Sequence, residues 1–150
     1  MRALKINSKK LGYELEDKKM GKYLAKIIAN DQEGLQMISA CIAGSKTKVS
    51  DIKYLSTNKV FLLSIERNKV ESEQKNKKIN SICRFDFVDK VKSKNIDQFD
   101  KKIILELIGI DYLKNKEEYE INLIFDKNKH IVLTTETIEV RLEDQNEIKE

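Results

Sequence analysis

Tyr23-Leu-Ala-Lys-Ile-Ile-Ala29, then Asn30-Asp-Gln-Glu-Gly-Leu-Gln-Met-Ile-Ser-Ala-Cys-Ile-Ala-Gly44, then Val49-Ser-Asp-Ile-Lys-Tyr-Leu55 decide the fold, because the apolar period changes twice among them. The first segment is a short apolar run with β-branched residues, which reads as a strand. In the second, Leu35, Ile38 and Ile42 recur at helical spacing, with Met37 and Cys41 four apart beside them. Asn30 stands three residues before Glu33, the spacing of a capping box, and Gly44 sits where a left-handed residue closes a helix. The pattern predicts one amphipathic helix near 32–43 whose stripe is a core face. The third segment returns to strand chemistry. With Val60 to Arg67 beyond the turn-prone Ser56-Thr-Asn-Lys59, it predicts a hairpin.

From there to the end only strands are indicated. Residues 68–81 form the longest polar stretch. Cys83, Phe85 and Phe87 alternate with Arg84 and Asp86, which puts the first three in the core, until Val88 breaks the phase and calls for a bulge or bend. Ile103 to Leu113 is apolar on both faces, as is Val60 to Ile65. Tyr119 to Phe125 alternates, Asp126 to His130 makes a second turn, and the inward parity flips between Leu133 and Ile138, which implies a bulge or a split strand near 134–137. Consecutive antiparallel strands with one early helix give an α+β class. Strands apolar on both faces need cover, so the expectation is a strongly curved sheet or partial barrel of about seven to eight strands, closed in part by the helix. No alternation of strands and helices supports a parallel nucleotide-binding sheet.

The 150-residue length fits one domain. Its expected parts are a poorly ordered leader or loosely attached strand at 1–21, an α+β domain at 22–144 and a frayed acidic tail at 145–150. The net charge of +4 is unevenly spread. Residues 67–94 hold nine basic against four acidic side chains, and residues 95–150 hold eight against fourteen. Such a split can steer partners. Most of the cations are Lys, Ile and Asn abound, and Pro and Trp are absent, which is also the bias of an AT-rich coding sequence. No apolar run reaches a membrane span, and the N-terminal region lacks the apolar core of a secretory signal, so the expected setting is cytoplasmic, away from membranes. Cys41 and Cys83 fall at apolar positions and read as core thiols.

Several pieces together resemble a bacterial family catalogued as domain of unknown function 2948. They are Ile27-Ile-Ala-Asn-Asp-Gln-Glu-Gly-Leu-Gln-Met-Ile-Ser-Ala40, Val49 to Leu55, the hairpin partner ending at Arg67, Cys83-Arg-Phe-Asp-Phe-Val88 with Val91 to Asp97, and Ile138 to Asp144. The resemblance runs from about Leu24 to Asp144, supports those boundaries, and implies no activity, cofactor or catalytic residue.

Sites of chemistry are scarce. The five glycines form no phosphate-binding pattern, and one His with two Cys set 42 residues apart makes a poor zinc set. A carboxylate magnesium site finds nothing to single it out, and His130 at a turn reads as a solvated imidazole. No cofactor is expected, and the balance leans away from an enzyme. The expected function is a non-catalytic interaction module with a protein partner. Its candidate contact residues are Arg67, Arg84 and Asp86, the last two on one strand face as an ion pair. The alternative is nucleic-acid (RNA) binding through Lys75, Lys77, Lys78, Lys90, Lys92 and Lys94 in the basic 67–94 region.

Overall fold

The computed structural model describes residues 13–18, 22–68 and 78–147. Strands β1 (Tyr13–Lys18) and β2 (Lys22–Ala29) lead into helix α1 (Gln32–Ile42). After it come β3 (Lys46–Lys48), a 3₁₀ turn (Val49–Asp51), β4 (Ile52–Leu55), β5 (Val60–Asn68), β6 (Lys78–Phe85) and β7 (Val88–Lys94). The order closes with β8 (Ile104–Asn115), β9 (Glu118–Phe125), β10 (Lys129–Thr135) and β11 (Val140–Glu147).

The helix forms where its period places it, with a cap one residue later than Asn30. Asp31 has extended backbone, and its Oδ1 accepts from the Gly34 amide at 2.8 Å. Gly34 is required by close approach, since a Cβ there would lie 2.9 Å from that of Ala29. Gly44 closes the helix at φ 85° and donates to the Leu107 carbonyl at 2.7 Å. Leu35, Ile38, Cys41 and Ile42 are buried, each worth roughly 1.5–3 kcal/mol for a large aliphatic side chain. The Ile110 amide donates to Ser39 Oγ at 2.9 Å, which ties the helix to β8.

Every strand pairing is antiparallel. The path runs β1-β2-β11-β6-β5-β3-β8-β9-β10-β7, with β4 attached to β5 beside β3. Three-residue β3 is the narrow bridge between a first half, β1 to β5, and a second half, β8 to β7. Both halves and the helix feed a single buried cluster that includes Ile27, Ile38, Phe61, Phe85, Leu105, Leu123, Leu133 and Leu142.

Three expectations are corrected. The structure has more strands than expected: the sequence reading missed short β3, and of the two expectations for 1–21, a poorly ordered leader or a loosely attached strand, Tyr13–Lys18 is a strand. That segment pairs with β2 from Tyr13↔Ile27 to Lys18↔Lys22. The partial barrel does not form: the path is open, ends at β1 and β7, and is not strongly curled. The premise fails at the outward apolar residues, since Leu62 is half-buried while Ile104 and Ile108 stand exposed on the outer face of β8. Among the described residues no second layer covers them. Phe87, expected in the core, is 44 % exposed.

Other expectations hold. The hairpin of β4 and β5 pairs Leu55 with Val60, and the tight turn between β9 and β10 has positive φ at both Lys127 and Asn128. The parity flip is a split: β10 ends at Thr135 and joins β9 and β7, whereas β11 restarts at Val140 between β2 and β6. No helix among the described residues is long and apolar enough to cross a membrane.

Candidate functional site

The segment Cys83 to Val88 carries the chain from the first half to the second, and its residue types explain how. Cys83 and Phe85 point inward and are fully buried, with Phe85 edge-on to Phe61 at 5.9 Å between ring centroids. Only Asp86 and Phe87 remain to make the crossing before Val88 enters β7. Phe87 takes φ 58°, a left-handed conformation that costs a non-glycine residue roughly 1–2 kcal/mol. That rotation resets the phase, so Val88 takes the inward slot and the Phe87 ring turns toward solvent.

Neighbouring loops hold this corner. The Asp86 amide donates to the Glu139 carbonyl at 2.9 Å, the Val88 amide to the Lys59 carbonyl at 2.8 Å, and the Glu136 amide to the Phe87 carbonyl at 3.2 Å. Tyr54 Oη donates to the Val88 carbonyl at 2.8 Å. Lys59, in the turn between β4 and β5, reaches Asp89 at 2.9 Å and Glu136 at 3.2 Å. Asp89, then Glu136, hold its ammonium pKa above the usual 10.5. The β4–β5 turn, the crossover and the β10–β11 connection thus converge.

The expected pair is present beside it. Arg84 Nε donates to Asp86 Oδ1 at 3.0 Å, with the arginine half-exposed. Arg141 of β11 lies directly across from Arg84, and its Nε is buried with no hydrogen-bond partner. Like charges in register repel. Sequence reading missed Arg141: the inward positions of Ile138, Val140 and Leu142 put it on an outer face, but its pairing with Arg84 is long-range.

Arg67 is a correction. It is fully buried, which removes it from any contact surface. Its guanidinium meets Asp144 twice, at 3.0 and 2.9 Å, and Ser81 Oγ at 3.2 Å. Asp144 also accepts from Ser81 Oγ at 2.6 Å and from the Ala25 amide at 2.7 Å. The reason was legible: Phe61, Leu63 and Ile65 fill the odd, inward positions of β5, and Arg67 is the next one.

The basic stretch is divided. Lys75 and Lys77 lie outside the described residues. Lys78 is on β6, 3.5 Å from Glu66, in the first half. Lys90, Lys92 and Lys94 occupy alternate, exposed positions of β7 in the second. Cys41 and Cys83 are buried thiols, and burial pushes the Cys83 thiol pKa strongly up, away from the nucleophilic thiolate. His130 lies within 3.3 Å of Asn122 Oδ1 and 3.2 Å of Asn128 Oδ1 on the outer side of β10. Among the described residues no three His, Cys, Asp or Glu side chains are grouped to hold a metal ion.

A groove of about 370 Å³ crosses the outer face near the bridge strand, lined by Lys46, Lys48, Glu66, Asn80 and Gln145 among others. Its charges are mixed in sign.

No curated protein and no solved structure matches this chain. The family model described as "Protein of unknown function (DUF2948)" matches residues 25–150, from within β2 through β11, and the chain belongs to that family.

Proposed function

We propose that the protein is a non-catalytic interaction module whose contact point is the crossover corner. The observation that carries this reading is Phe87: a large aromatic ring kept half-exposed by a left-handed backbone that costs free energy to maintain. Backbone strain persists where surrounding structure over-determines it, and hydrogen bonds to two other loops do so here. A rigid aromatic beside an arginine is the composition that dominates protein–protein binding energy. Little ordering entropy remains to be lost on binding, since the corner is already tied down.

The nucleic-acid reading draws on fewer residues than the sequence offered. Lys78 belongs to a different half from Lys90, Lys92 and Lys94, and Arg67 is unavailable to phosphate.

A photoreactive side chain tests the corner directly. Phe87→p-benzoylphenylalanine, irradiated in the source cell, is expected to give a discrete protein adduct. The same replacement at exposed Leu113, in the other half of the sheet, is the control and should give none. Identical adducts at both positions, or none at position 87, would contradict the proposal.

A further inference from the structure

Among the described residues strand β7 ends the sheet path and is paired on one side only, to β10. Its two faces differ sharply. Lys90, Lys92 and Lys94 share the outer one, and their cross-strand neighbours on β10 are Thr134, Val132 and His130. None of these is acidic, and among the described residues no carboxylate lies within ion-pair distance of the three lysines. On the inner side, Val91 and Ser93 line a slot of about 280 Å³ that opens between β7 and β4, a strand paired only to β5 among the described residues. Ile52, Tyr54, Ile96 and Ile131 supply most of its apolar wall. Phe99, in the same loop as Ile96, is 94 % exposed.

Beyond Val88, whose amide and carbonyl are taken by Lys59 and Tyr54, a backbone edge with no second strand partner among the described residues, a row of cations on one face and a largely apolar slot on the other specify an occupant. Successive residues of a strand point to opposite faces, so a strand laid on β7 presents alternate side chains to the lysines and to the slot. Lysines on an edge repel indiscriminate pairing. Carboxylates at alternate positions turn that repulsion into cross-strand ion pairs. We propose that β7 accepts, by edge addition, an extended segment of a partner protein in which acidic and apolar residues alternate. A nucleic acid could use the lysines but would leave the backbone edge and the slot empty. This surface shares Tyr54 and Val88 with the Phe87 corner but uses neither the Phe87 ring nor the Arg84–Asp86 pair, so loss of one reading leaves the other testable.

The test uses a capped, fluorescent peptide of alternating Val and Glu, seven residues long to match β7, titrated into the full chain. Binding should weaken at least about tenfold when Lys replaces Glu in the peptide, and again in the Lys90→Glu/Lys92→Glu/Lys94→Glu protein, for which like-charge juxtaposition is the cause. N-methylation of alternate peptide nitrogens should abolish binding, because it removes the edge hydrogen bonds without altering the protein. Phe87→Gly should bind the peptide as the wild type does. No saturable binding by millimolar peptide, equal binding of the N-methylated peptide, or indifference to the charge reversals would overturn the proposal. So would oligouridine bound more tightly than the peptide and lost with the lysines, or a second copy of the chain found occupying β7.

Discussion

The protein contains two arginine–aspartate pairs of nearly equal length and opposite meaning. Arg67 and Asp144 meet at 2.9 Å with both side chains fully buried. Arg84 and Asp86 meet at 3.0 Å with side chains 47 % and 17 % exposed. Distance does not separate them; surroundings do. The first pair joins β5 to β11 under the sheet, and the same carboxylate satisfies Ser81 and the Ala25 amide, so every element there depends on one charge. The second pair is local, within two residues, and water competes for it. The first is therefore architecture, and the second is free to be exchanged for contacts with a partner.

That contrast can be broken experimentally. The largest effect is expected for Asp144→Ala, which takes the carboxylate away from a buried guanidinium and should cost about 3–5 kcal/mol in chemical denaturation. Arg67→Met/Asp144→Leu removes both charges and should recover most of that loss. A double variant as unstable as the single one would show that the charges are needed for more than pairing each other. Phe87→Gly comes next. It relieves the left-handed strain but gives up the half-buried ring and adds chain entropy, so stability should stay within about 1 kcal/mol of wild type while partner binding fails. Arg84→Ala should cost under about 1 kcal/mol, and less in high salt, as an exposed pair does.

The smallest effect concerns pH. Because the folded Lys59 pKa is raised, its contribution is fully present below the ordinary lysine value of 10.5 and is lost as pH rises through the higher folded value. Wild type and Lys59→Met should therefore differ by a constant amount from pH 6 to 9, with the gap closing only in strong alkali. A gap that changed near neutrality would assign it to another group.

The sequence showed local structure well and distant pairing poorly. The helix of Leu35, Ile38 and Ile42, the hairpin at Leu55 and Val60, and the phase breaks at Val88 and after Leu133 are all periodicity effects within a few residues. β3 went unseen because three residues carry no period. The union of β7 with β10, and of β11 with β2 and β6, is fixed by long-range packing that no local window contains. Of the candidate site, the Arg84–Asp86 pair followed from strand geometry, whereas Phe87 was misassigned because alternation says nothing about a single left-handed residue. Arg67 was misjudged by charge when its parity already placed it inside.

The corner is tested most directly by capture from nuclease-treated lysate of the source cell with wild type and Phe87→Gly side by side. The expected result is a near-stoichiometric protein retained by the wild type and reduced at least about tenfold with the variant, at equal folded concentration. Equal capture by both would contradict the role assigned to Phe87.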